Sequence, residues 1–260
     1  MTEKIQIRSL AKTFPLDGKP FTALSAVDLD IADGEFVTVV GPSGCGKTTL
    51  MNILAGLETP SSGEVLVDGQ PVVGPSPERG VIFQQYALFP WLTVRKNIEF
   101  GLRIAGVRGT ELRQRAQHYI DLLGLASHAD QLPKALSGGM KQRCAIGRAY
   151  AADPKLLLMD EPFGALDAMT RVTLQDQLLE TWDREKRTIV FITHDVEEAV
   201  YLASRVVVMA ARPGRIAEII PVELPYPRNE ETRLSAEFTE IKNRVWRGVH
   251  HQSAALTPTA

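Results

Sequence analysis

"FVTVVGPSGCGKTTLMNILAG", Phe36 to Gly56, decides the fold. Phe36 to Val40 is an apolar, β-branched run of the kind that forms a buried strand. It breaks at Gly41-Pro42-Ser43-Gly44-Cys45-Gly46-Lys47-Thr48, which fits G-x-x-x-x-G-K-[ST] at every fixed position, with Thr49 next. An apolar helix pattern follows. The glycines allow backbone N–H groups to curl around phosphate oxygens, and a helix N-terminus adds its positive end. Lys47 can reach β- and γ-phosphates, and Thr48 offers a hydroxyl to Mg²⁺. The stretch therefore predicts a nucleotide-phosphate cradle on an α/β scaffold.

The flanking sequence agrees. Upstream, "KIQIRSL" and "SAVDLDI" read as strands, and "VDLDI" alternates as a half-solvated antiparallel strand does. Downstream, "GEVLVDGQPV" reads as a hairpin turning at Asp68-Gly69, and "RGVIF" as a short strand. From about Thr93 to Ala152 the texture is helical, with apolar residues three and four apart. After Pro154, strands ("KLLLMD", "TIVFIT", "RVVVMA", "GRIAEII") alternate with helices, which implies βαβ units and a parallel sheet. The expected organisation is a domain over 1–220, with a helical insert at about 93–152, and a tail over 221–260. Within that tail, "SAEFTEIKNRVWRGV" reads as one helix and the end as frayed.

Composition narrows the class. The 260 residues are 44% hydrophobic and carry 29 Lys and Arg against 31 Asp and Glu, a net charge of -2. No basic footprint points to nucleic acid. No apolar run approaches the roughly 18 to 20 residues that cross a bilayer, so any pore belongs to another chain. Cys45 and Cys144, two thiols without CxxC spacing, suggest a reducing cytoplasm.

A phosphate cradle needs a metal partner and a base. Asp160 ends the apolar strand of "LLLMDEP", at the sheet edge where open α/β folds bind ligands, and suits Mg²⁺. Glu161 follows it and is the candidate general base; read alone, it is a solvated charge. His194 ends "TIVFITH" at the same kind of edge, suited to the γ-phosphate or the attacking water, or else a surface residue after a strand. His118, His128, His250 and His251 read as solvated surface.

One motif remains unabsorbed: "LSGGMKQR", Leu136 to Arg143, a second Gly-rich turn running into a helix. Ser137 there reads as a helix N-cap. Taken with the phosphate loop, "VIFQQYALFPWLTV", "LLLMDEP", "GALD" (Gly164 to Asp167) and His194, it resembles the ATP-binding-cassette (ABC) family, in the family's order from about Ile5 to Ile220. The resemblance implies a P-loop ATPase core with a mainly parallel sheet, an N-terminal antiparallel β subdomain and a helical insert. It makes "LSGGMKQR" the signature motif, with Met140 where Gln is commoner. Gln84, with Gln85 as its neighbour, becomes the loop glutamine, both catalytic and a Mg²⁺ contact. Phe14 becomes the aromatic that stacks on adenine, with Phe21 a weaker candidate. ATP and Mg²⁺ are the implied cofactors. Two copies would pack head to tail, so that Ser137, Gly138 and Gly139 of one chain cover ATP held by the other.

"VVGPSPERGVIFQ", "DEPFGALDAMTR", "THDVEEAVYLASRVVVMAARPGRI" and "VELPYPR" are similar to the bacterial nitrate, sulfonate and taurine import group. That likeness implies a subunit on the cytoplasmic face of the membrane, partnered by permease subunits and, indirectly, by a periplasmic solute-binding protein. Nitrate, aliphatic sulfonate or taurine lead as solutes, with bicarbonate and pyrimidine precursors behind. A soluble cassette ATPase acting on DNA or ribosomes is the alternative, but the insert lacks sustained heptads and the chain has one set of motifs. A phosphate-loop kinase would leave "LSGGMKQR" and "GALD" unexplained.

Overall fold

The computed structural model describes residues 3–84, 87–164 and 166–254. The chain divides into two compact units: residues 1–75 with 174–260, and residues 76–173.

The first unit opens with two long strands, β1 (Glu3–Leu16) and β2 (Lys19–Ala32), paired antiparallel. Val27, Leu29 and Ile31 are buried and Asp28 is exposed, the alternation of a one-sided strand. β3 (Phe36–Val40) is buried throughout and feeds the phosphate loop, from which α1 (Lys47–Ala55) springs. β4 (Ser62–Val67) and β5 (Gln70–Pro71) form the expected hairpin. Asp68 and Gly69 both take positive φ, 52° and 70°, the backbone a tight two-residue turn needs. The first sheet runs β2-β1-β4-β5.

The second unit begins with β6 (Arg79–Ile82) and continues through α2 (Val94–Ile104), α3 (Gly109–Leu122) and α4 (Gly138–Ala151) to β7 (Leu156–Asp160). β6 and β7 pair in parallel, which places the residues after Ile82 and after Met159 at one edge. This unit is therefore wider than the helical insert read from the sequence. Buried Asn97 knits the loop before α2: its Oδ1 accepts from Phe89 N–H at 2.9 Å and its Nδ2 donates to the carbonyls of Phe89 and Leu92 at 3.2 and 2.9 Å. Thr93 caps that helix.

α5 (Ala168–Glu185) leads back to the first unit, where β8 (Thr188–Ile192), α6 (Val196–Leu202), β9 (Arg205–Ala210), β10 (Arg215–Pro221), α7 (Glu230–Leu234) and α8 (Ala236–Ala254) complete the chain. β3 pairs in parallel with both β8 and β9, and β10 runs antiparallel to β9. The core gathers Phe36, Phe191 and Tyr201, with Trp182 edge-on to Phe36 at 5.8 Å. The tail is part of this core: Phe238 and Val245 of α8 are fully buried. Residues 255–260, the end expected to fray, lie outside the described residues.

Candidate functional site

Each unit carries candidate residues at the carboxyl ends of its parallel strands. In the first unit these are the phosphate loop after β3 and His194 after β8. The two neighbours are tied by Thr193 N–H donating to the Val39 carbonyl at 3.2 Å. The loop is built on left-handed glycines: Gly44 at φ 76° and Gly46 at 91°. At Gly46 a Cβ would also stand 2.6 Å from Leu24 Cδ2, so β2 passes too close for any side chain there. Pro42 and Ser43 complete the turn; Thr48, exposed, and Thr49 lie in the first turn of α1.

Lys47 folds back along its own loop. Its ammonium donates to the carbonyls of Gly41 and Pro42 at 2.8 and 3.2 Å and lies 3.7 Å from Cys45 Sγ. Burial pushes the Cys45 thiol up, against the opposing pull of the Lys47 charge. Cys144, buried in α4, is pushed up to about 12 by the same cause. Both cysteines are free thiols. Phe14 is half-buried on β1, directly opposite Phe21 on β2, and Lys12 Nζ sits 4.8 Å from its ring centroid. His194 is exposed, one residue before the N-cap of α6.

In the second unit, Gln84 follows β6 and Asp160 ends β7. With Phe83 and Ala87 they line a recess of about 350 Å³. Asp160 is 7% exposed, whereas Glu161 is half-buried. Gln84 Nε2 donates to Glu161 Oε2 at 3.2 Å. Glu161 takes φ 45°, a left-handed conformation that a non-glycine residue adopts at a cost of about 1–2 kcal/mol. The turn divides two consecutive carboxylates, one buried at the strand end and one held by Gln84. Gln85, Tyr86 and Ala165 lie outside the described residues.

The signature turn starts α4. Ser137 is its N-cap, its Oγ accepting from Met140 N–H at 3.3 Å. The cap occupies an Oγ lone pair and leaves the hydroxyl proton to donate; the N–H groups of Gly138 and Gly139, in the first turn, have no intrahelical acceptor. A Cβ on Gly139 would meet Leu166 Cδ2 at 3.3 Å, so the "GALD" loop packs on this turn. Asp167 caps α5: the N–H and hydroxyl of Thr170 hold its carboxyl below the usual range.

A second recess in this unit, about 380 Å³, is apolar: Val81, Phe83, Phe89, Phe100 and Ile104 line it, and Arg148 closes one side. Arg148 donates to the Ala87 carbonyl at 2.7 Å and lies over the Phe89 ring. Trp91, 71% exposed, stands beside Phe89 at 5.7 Å. Nothing in the sequence marks Arg148, because its partner Ala87 lies 61 residues away.

The residues available for Mg²⁺ are hydroxyl, amide and carboxylate oxygens, the hard donors that ion takes. Asp160 fits such a role: a carboxylate this buried is stabilised by a cation. Among the described residues no cluster of three or more His, Cys, Asp or Glu assembles a metal cage.

A Gly-rich phosphate loop after a buried strand, with a Ser-Gly-Gly helix start and paired acid residues at a strand end, defines an ATP-binding cassette. The chain belongs to the ABC transporter family, as an ATP-binding subunit and ATPase; the family model matches residues 24–164. An ATP-binding protein of Brucella abortus is 71% identical over 232 residues, 89% of either chain. The nitrate import ATP-binding protein of Synechocystis is 46% identical, over 90% of this chain and 89% of that one. The aliphatic sulfonates import ATP-binding protein of Bacillus cereus is 43% identical, over 93% and 94%. Among solved structures, the dimeric cassette MJ0796 in a post-hydrolysis state with ADP and Pi matches with a TM-score of 0.77 and 31% identity, covering 85% of this chain and all of that one. The fold is that of the cassette: an antiparallel N-terminal sheet, a mixed and mainly parallel set of strands, and helices.

Proposed function

We propose that this chain is the ATPase subunit of a bacterial importer for a small anion, of the nitrate or aliphatic sulfonate and taurine type. One observation carries the reading: an apolar recess with exposed Phe100, Ile104 and Trp91 in the same unit as Gln84, Asp160 and Glu161. It suits an apolar segment of a permease, at the cytoplasmic face of the membrane. No helix among the described residues is long and apolar enough to cross a bilayer, so the pore is assigned to partner subunits. The solute class comes from the relatives at 46% and 43% identity. A periplasmic binding protein would choose the solute.

In this reading the phosphate loop, Gly41 to Thr49, holds the triphosphate and Phe14 stacks on the base. Lys47 exchanges its loop carbonyls for phosphate oxygens, which make the stronger, charge-assisted bonds. Thr48, Gln84 and Asp160 are the residues that would hold Mg²⁺, which neutralises phosphate charge when bound. Glu161 takes the proton of the attacking water and His194 contacts the γ-phosphate. Two copies form a head-to-tail dimer, with Ser137, Gly138 and Gly139 of one chain closing over ATP on the other. ATP thus joins the dimer, and hydrolysis releases it.

Deleting the gene in its native cell and measuring uptake of labelled nitrate, taurine and an alkanesulfonate tests the assignment. Loss of one uptake, restored by the parent chain and not by Lys47→Ala, is expected. Full retention of all three would remove the importer assignment for these solutes.

A further inference from the structure

We propose that the segment after β10 is a clamp that positions His194, with Arg228 and Tyr226 as its positioning residues. The inference rests on the catalytic reading of His194 given above.

α6 is seven residues long, too short to hold its shape without tertiary contacts. Its start is fixed beside His194. Asp195 caps it, accepting from the N–H groups of Glu197 and Glu198 at 2.9 and 3.2 Å, and its own N–H donates to Thr193 Oγ1 at 3.0 Å. Its end is held from the tail. The carbonyls of Val200, Tyr201, Leu202 and Ala203 lie in the last turn and just past it, where a helix supplies no N–H partner. Arg228 Nη1 donates to those of Val200, Tyr201 and Ala203 at 2.9, 2.8 and 2.9 Å, and the Tyr226 hydroxyl to that of Leu202 at 3.0 Å. Two tail side chains therefore close the whole end of the helix that follows His194.

The clamp extends along the side of α6. The Arg233 guanidinium lies 3.3 Å from the Tyr201 ring centroid and donates to Gln175 Oε1 at 2.8 Å. Gln175 Nε2 in turn donates to Glu198 Oε1 at 2.8 Å, and Lys242 reaches Glu197 at 3.5 Å. Arg228 is 6% exposed, and its Nη2 donates to the Leu224 carbonyl at 3.1 Å. Burying a guanidinium is expensive, and apolar packing could stabilise the region as well. What the planar fork adds is a tie: Nη1 holds the α6 carbonyls while Nη2 holds that of Leu224, which fixes the helix end against the tail. His194 sits between the end of β8 and the cap of α6, so a turn or shift of α6 moves the imidazole.

The test uses the full chain with Arg228→Lys, which keeps the charge and loses the fork, and Arg233→Gln. Turnover and KM for ATP are measured, together with the imidazole proton–carbon NMR signal of His194, identified as the one missing in His194→Ala. The clamp predicts turnover lower by about tenfold, KM within about twofold, and a displaced or broadened His194 signal, with helix content unchanged. A folded Arg228→Lys chain with parental turnover and an unmoved His194 signal overturns it, as does a rise in KM with turnover intact. Should Arg228→Lys not fold, Arg233→Gln carries the same readings. Parental turnover in His194→Ala would instead sink the catalytic reading of His194, and the NMR signal would then decide the clamp alone.

Discussion

Glu161→Gln binds ATP with parental affinity and hydrolyses it about 10²- to 10⁴-fold more slowly, the expected loss when a positioned base is removed. The substitution keeps shape and size. Its amide oxygen still accepts from Gln84 Nε2, so the bond that holds the side chain survives. The left-handed backbone at residue 161 is likewise indifferent to the change. What goes is basicity alone. Asp160 does not substitute, because it is buried at the end of β7 while its neighbour turns away. Single-turnover hydrolysis with measured ATP binding separates the steps. Unchanged hydrolysis would take Glu161 out of the mechanism and leave it a partly solvated acid after a strand.

Ser137→Arg abolishes hydrolysis, at least about 10²-fold, while the monomer's affinity for ATP stays within about twofold. The structural role of Ser137 is too small to account for that. Its cap to Met140 N–H contributes about 1 kcal/mol to a helix of 14 residues whose other face is buried. The side chain is exposed, so arginine fits without disturbing the core of its own unit. In the proposed dimer the same bulk stands between the turn and the other chain's γ-phosphate. Titrating a nucleotide analogue into the monomer, beside a turnover assay, checks both halves. Strongly weakened monomer binding would mean that Ser137 serves ATP on its own chain.

The sequence was legible where one residue's backbone or periodicity decides the matter. The phosphate loop, the Asp68-Gly69 hairpin and the buried strands β3, β7 and β8 all stand where the pattern puts them. β1 and β2 prove longer than the pattern suggests. Ser9 and Ala26 take positive φ at irregularities in their pairing, and a bulge shifts the alternation that would have extended each strand. The N-cap reading of Ser137 stands in the structure, and it is compatible with a phosphate contact because the cap uses only a lone pair.

Contacts between distant segments were not legible. Arg148 reads as one more cation in a helix until Ala87 and Phe89 meet it. Arg228 ends "VELPYPR", a stretch that stands out only for its likeness to an import group, and its role shows once the carbonyls of α6 surround it. Both are long polar side chains whose partners are backbone carbonyls. Carbonyls carry no sequence signal, so only the fold shows which ones are left open.

In the proposed dimer, ATP held by one chain is completed by the signature turn of the other. Light scattering of Glu161→Gln after size exclusion, with and without ATP and Mg²⁺, decides this, since hydrolysis no longer removes the joining nucleotide. Twice the mass of one chain with ATP, and a single chain's mass without it or after Ser137→Arg is added to the same background, is the predicted result. A single chain's mass with saturating ATP would contradict it.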